Sequence, residues 1–82
     1  MSMTTQKAVA LRVSNLLVKN NLTQYALCKK IAMSQETLRS IIEERYKTVK
    51  LDTIVLLCDG LGITIQEFLN DDLFKRDNLE IE

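Results

Sequence analysis

Apolar side chains recur at intervals of three and four along most of this 82-residue chain, the spacing that gathers them on one face of an α-helix. Val9, Val13, Leu16 and Leu17 form such a stripe in a first helix expected from about Thr5 to Lys19. Asn20 and Asn21 end it, because asparagine tolerates the left-handed backbone of a helix terminus. Thr23 caps a second helix running to about Ile31, with Leu27, Cys28 and Ile31 facing inward. Ala32, Met33 and Ser34 make an elbow, and Ser34 caps a third helix from Gln35 to about Glu44 whose inner face is Leu38, Ile41 and Ile42. After the mostly polar loop 45–50, a fourth helix is expected over about Leu51 to Leu61. It should bury Leu51, Ile54, Val55, Leu57, Cys58 and Leu61 before Gly62 breaks it. Thr64 and Glu67 have the spacing of a capping box, opening a short fifth helix that turns Ile65, Phe68 and Leu69 to the core. The pattern predicts an all-α domain with its core over residues 5–70 and an acidic tail, 71–82, to which it assigns no element.

Composition narrows the class. A hydrophobic fraction of 46% with 27% charged residues suits one small domain over residues 1–82 with a single core. Proline is absent and the two glycines are Gly60 and Gly62, so no linker or low-complexity stretch is visible. No apolar run approaches the roughly 18–20 residues that cross a bilayer. The opening MSMTTQKAVALRV lacks the basic, apolar and small-residue succession of a signal peptide, so the expected location is the cytosol. Cys28 and Cys58 stand thirty residues apart with no histidine in the chain, which leaves an ordinary zinc site incomplete and a catalytic thiol without its usual base. Both lie among apolar residues at helical spacing, as buried thiols do. With no glycine-rich phosphate loop and no carboxylate pair that has reason to converge, no enzymatic activity and no cofactor are expected.

Net charge is zero but unevenly spread. Residues 1–22 carry Lys7, Arg12 and Lys19, and residues 23–50 hold six cations against Glu36, Glu43 and Glu44. The tail, 66–82, has six acids against Lys75 and Arg76. A basic N-terminal half and an acidic C-terminal end describe a dipolar molecule.

The segment LTQYALCKKIAMSQETLRSI, residues 22–41, resembles the Xre family of small repressors, similar to the lambda and Cro DNA-binding domains. Leu22, Thr23 and Gln24 match the family's opening, Cys28 fills its small-residue position, and Ser34 and Gln35 match the start of the recognition helix. LDTIVLLCDGLGITIQEFL, residues 51–69, looks like the family's fourth and fifth helices, so that the likeness spans about residues 9–70. The resemblance implies a five-helix lambda-repressor-like fold, a double-stranded DNA operator as partner, and a third helix lying in the major groove. With Leu38, Ile41 and Ile42 buried, the helical wheel turns Glu36, Arg39, Ser40 and Glu43 outward, with Gln35 at the entering end. The base-reading candidates are therefore Gln35, Glu36, Arg39 and Ser40. The phosphate candidates are Gln24, Thr37, Lys47, Thr48 and Lys50.

Several positions depart from the family. Ala32 stands where glycine is frequent. Leu17 and Ile42 replace an arginine and a glutamate that often pair, which predicts that these two side chains touch, since an apolar pair substitutes for an ion pair where a lone charge would not. Glu36, Glu43 and Glu44 are repelled by phosphates unless Arg39, Arg45 and Lys47 neutralise them. Leu11, Val18 and Leu56 are apolar where the family is polar, which fits either a homodimer face or burial beneath the tail. The expected function is a sequence-specific transcriptional regulator, a repressor working as a homodimer. The alternative is an antitoxin or adaptor that uses this fold to bind a protein partner such as a toxin.

Overall fold

The structure, a computed structural model, describes residues 2–81. Most of its helices begin where capping side chains stand. α1 (Thr5–Lys19) is capped by Thr4, α2 (Gln24–Ile31) by Thr23, and α3 (Gln35–Ile42) by Ser34. In each case a hydroxyl accepts a hydrogen bond from the backbone N–H three residues on. α4 (Leu51–Leu61) follows Lys50 and has no side-chain cap. α5 (Ile65–Leu69) opens with the complete capping box predicted for Thr64 and Glu67.

The four longer helices end alike. A left-handed residue, Asn21, Ala32, Glu44 or Gly62, follows each helix, and the next N–H bonds back five residues. These bonds run from Leu22 to the Leu17 carbonyl, Met33 to Cys28, Arg45 to Ser40 and Ile63 to Cys58, at 2.9–3.1 Å. This is the Schellman arrangement, which satisfies carbonyls that a helix end would otherwise orphan. Glycine, the residue suited to it, occupies one of the four positions. The turn at Glu44 also explains why α3 stops at Ile42, two residues short of the expected end.

Packing then follows from the apolar stripes. α1 lies on α3, and α2 on both α3 and α4. The cluster they enclose includes Val13, Leu16, Leu17, Leu27, Leu38, Leu57 and Phe68, with Ile42 packed against it. α4 packs tightly on α2 at Gly60, since a Cβ built there would stand 2.5 Å from Leu27 Cδ1 and 2.6 Å from Ile31 Cγ2.

Three apolar positions expected in the core are exposed instead: Leu51, Val55 and Leu69. Ile54, Leu57, Cys58 and Leu61 already fill the covered face of α4, and Leu51 and Val55 fall on its outer strip with Asp52, Leu56 and Asp59. Leu69 ends α5, past the turn that seats Phe68.

The described residues of the acidic tail form two single 3₁₀ turns, Asp72–Phe74 and Arg76–Asn78. It finishes in a parallel pairing of β2 (Leu79–Glu80) with β1 (Met3–Thr4), adding a two-stranded element to the expected all-helical fold. Arg12 ties the tail down. Its guanidinium donates to the carbonyls of Phe68 and Glu67, both at 2.8 Å, and to Asp71 Oδ2 at 3.2 Å. Phe74 rests against Phe68, ring centroids 5.8 Å apart. The tail leaves Leu11, Val18 and Leu56 exposed, so burial beneath it is not their fate.

Candidate nucleic-acid interface

α2 and α3 meet through Ala32, Met33 and Ser34. The left-handed Ala32 and the Met33 N–H bonded to the Cys28 carbonyl at 3.0 Å turn the chain within those three residues. The Cys28 thiol also reaches across the elbow, donating to the Ser34 carbonyl at 3.7 Å. Burial pushes its pKa up, as it does foremost for Cys58, so both remain thiols at neutral pH. The Ser34 hydroxyl meets the Thr37 hydroxyl at 2.7 Å while capping the Thr37 N–H, which fixes the first turn of α3.

Gln35, Glu36, Arg39 and Glu43 are exposed on the outer face of α3. Ser40, expected with them, is buried at 6% relative exposure. The helical wheel treats α3 in isolation and cannot show what neighbouring segments cover; beyond the helix the chain turns back, with the Arg45 N–H on the Ser40 carbonyl.

Charge on this face is internally paired. Arg45 extends from the turn back along α3, placing Nη1 2.6 Å from Glu36 Oε1, with Nη2 2.7 Å from Glu43 Oε1. Arg39 Nη1 stands 3.4 Å from Glu36 Oε2. Glu43, through its hydrogen bond and its charge, raises the Arg45 pKa further above its already high value, and Glu36 adds to this. At such exposure each pair adds little to stability, because solvent and salt screen it. The network's effect is to set where the side chains point.

Beside α3 an open groove of about 500 Å³ is lined by Thr37 and Ile41, the loop from Arg45 to Lys50, and Thr53 of α4. It thus gathers four of the phosphate candidates, Thr37, Lys47, Thr48 and Lys50, next to the exposed face of α3. Gln24 lies apart, exposed at the start of α2 in a second groove formed with Ser14, Leu17 and Val18 of α1. Arg45 was legible only as a possible neutraliser of the glutamates. Its position depends on a left-handed glutamate, which no local signal announces.

A tight two-helix elbow with an exposed second helix, flanked by helices that close one core, defines a helix-turn-helix protein. The Cro/C1-type HTH DNA-binding domain matches residues 12–72, and the chain belongs to that family. It is thereby a DNA-binding domain of the kind found in regulators. The crystal structure of the prophage Lp1 protein 11 is similar to it, with a TM-score of 0.79 and 24% identity over 93% of this chain and 99% of that one. That likeness bears on the fold. No curated protein matches the chain. Among the described residues no helix is long and apolar enough to cross a membrane.

Proposed function

We propose that the chain is a sequence-specific transcriptional regulator, a repressor acting as a homodimer, with α3 entering the major groove of its operator. The observation that carries this reading is the juxtaposition of an exposed polar helix face with a groove holding Thr37, Lys47, Thr48 and Lys50. Gln35 presents an amide suited to adenine, and Glu36 and Arg39 present groups suited to cytosine and guanine. The groove residues and Gln24 would hold phosphates and fix the register of α3. A two-fold dimer would read half-sites about 34 Å apart, with Leu11, Val18 and Leu56 as candidates for its apolar contacts.

The test is fluorescence anisotropy with duplex DNA from upstream of the protein's own gene, against scrambled duplex, at two salt concentrations. Preference for the native duplex, weakening as salt rises and lost in a Gln35→Ala, Arg39→Ala variant, supports the reading. Equal and negligible binding of both duplexes at low salt refutes it. One observation favours a second reading, an antitoxin or adaptor engaging a protein such as a toxin. The outer strip of α4 exposes Leu51, Val55 and Leu56 beside Asp52 and Asp59, and co-purification of a stoichiometric partner lost on Val55→Lys substitution would support it.

A further inference from the structure

The ion pairs on α3 carry more than neutrality. Glu36 and Arg39 are successive residues of one exposed face, joined at 3.4 Å through Arg39 Nη1 and Glu36 Oε2. They present, side by side, a forked donor and an anionic acceptor. In the major groove a G·C pair presents the complement in the same order: guanine N7 and O6 accept, and the adjacent cytosine N4 donates. O6 and N4 of one pair are themselves hydrogen-bonded, so they lie about 3 Å apart, close to the spacing of the two protein groups. Arg39 uses one N–H on Glu36 and retains the rest of its five for guanine. Each Glu36 oxygen holds one arginine contact and keeps a lone pair for cytosine.

Two single contacts to separate bases would not need this geometry, and a lone glutamate at the groove would be repelled by the phosphates. Arg45 removes that objection. It returns from beyond the helix to hold Glu36 Oε1 at 2.6 Å while anchored on Glu43 by two N–H groups at 2.7 and 3.1 Å. A carboxylate so held is both neutralised and aimed.

We propose that Glu36 and Arg39 act as one unit that reads a single G·C base pair, guanine by Arg39 and cytosine by Glu36, and that Arg45 is the positioning residue that holds the unit in register. This rests on the reading that α3 enters the major groove, and it deepens that reading by stating which base pair the pair of side chains selects.

The experiment is selection of bound sequences from a randomised duplex library by the full chain and by Glu36→Gln, Arg45→Ala and Arg45→Lys variants. Thermal melts of each confirm folding, since both substituted side chains, Glu36 and Arg45, are exposed. Affinities for the enriched duplex and its single-pair substitutions follow by anisotropy. The wild type should enrich a motif with one fixed G·C pair, whose replacement by A·T lowers affinity about tenfold or more, the range of a bidentate base contact. Glu36→Gln should lose that discrimination while keeping the other positions of the motif. Arg45→Ala should relax the same pair, and Arg45→Lys should restore part of it.

An enriched motif unchanged by Glu36→Gln overturns this inference and leaves α3 as a reader of DNA. Affinity falling equally for every sequence in Arg45→Ala, with a shallower salt dependence, makes Arg45 a phosphate contact and overturns its positioning role. If the wild type enriches no motif at all, the proposed function fails and this inference fails with it.

Discussion

Replacing Gly60 by alanine sets two physical effects against each other, and the structure says which wins. In an exposed helix interior the change stabilises by about 1 kcal/mol, because alanine forms helix more readily than glycine. Gly60 is buried, and its missing Cβ would lie 2.5 Å from Leu27 Cδ1 and 2.6 Å from Ile31 Cγ2. Carbon atoms rest at about 3.5 Å or more, so α2 or its side chains must retreat by about 1 Å. Leu27 is fully buried and Ile31 nearly so, leaving little room to move within a packed interior. Overpacking of this kind costs about 1–3 kcal/mol, and with two contacts this short the upper end applies. The expected net loss is about 2 kcal/mol, or roughly 8–16 °C in Tm for a chain of this size. Thermal unfolding by circular dichroism reads it directly. In a Leu27→Ala background the same Gly60→Ala change should cost much less, because one obstructing side chain has gone. A Tm that holds or rises in Gly60→Ala would refute the reasoning and show that α2 slides freely on α4.

Other expectations follow from single contacts. Arg12→Ala should destabilise by about 2 kcal/mol, since it removes charge-assisted bonds to two carbonyls and Asp71 from a side chain only 14% exposed. Arg12→Lys should recover only part of this in the same melt, as an ammonium lacks the fork. Ala32→Gly should raise stability by about 0.5–1 kcal/mol by relieving the left-handed backbone in the elbow; a lower Tm would contradict the strain argument. Hydrogen bonds from Thr64, the backbone N–H foremost, hold the Glu67 carboxyl below the ordinary glutamate value. Its contribution is therefore full above that ordinary value and lost as pH falls through the lowered one. Glu67→Gln should flatten this acid limb of Tm against pH, and an unchanged limb would remove Glu67 from the account.

What the chain discloses locally, it discloses well. Thr23, Ser34 and Thr64 announce their helices because a cap acts within three residues, and the bounds of α1, α2 and α4 follow from caps and stripes alone. The features that were not legible depend on distant partners. Arg12 reads as one more surface cation until it meets carbonyls 55 and 56 residues away. Gly60 falls inside the predicted α4 with no local reason to be glycine, because that reason lies on α2. Ser40 belongs to the outer face of a helical wheel, yet in the fold it is buried. Leu51 and Val55 carry the right residue type for a core, but periodicity cannot say how wide a face the neighbouring helices will cover.

The same distinction governs the charge. A net value of zero suggests a poor partner for a polyanion, yet several of the acids are engaged within the fold. Asp71 faces Arg12 and Asp72 faces Lys75, Glu67 closes a capping box, and Glu36 and Glu43 share Arg45. Sequence-independent affinity for DNA comes from cations meeting phosphates, and on the proposed reading that role falls to a few groove residues rather than to a basic surface. A recognition helix whose one arginine, Arg39, is already engaged by a glutamate, and whose glutamates are held by Arg45 from beyond its end, then gains little from an arbitrary duplex. It gains most where a base pair supplies both a donor and an acceptor to that pair. Such a design lowers binding to competing sequences more than to the correct one, and it is that ratio, not absolute affinity, on which finding an operator among many sites depends.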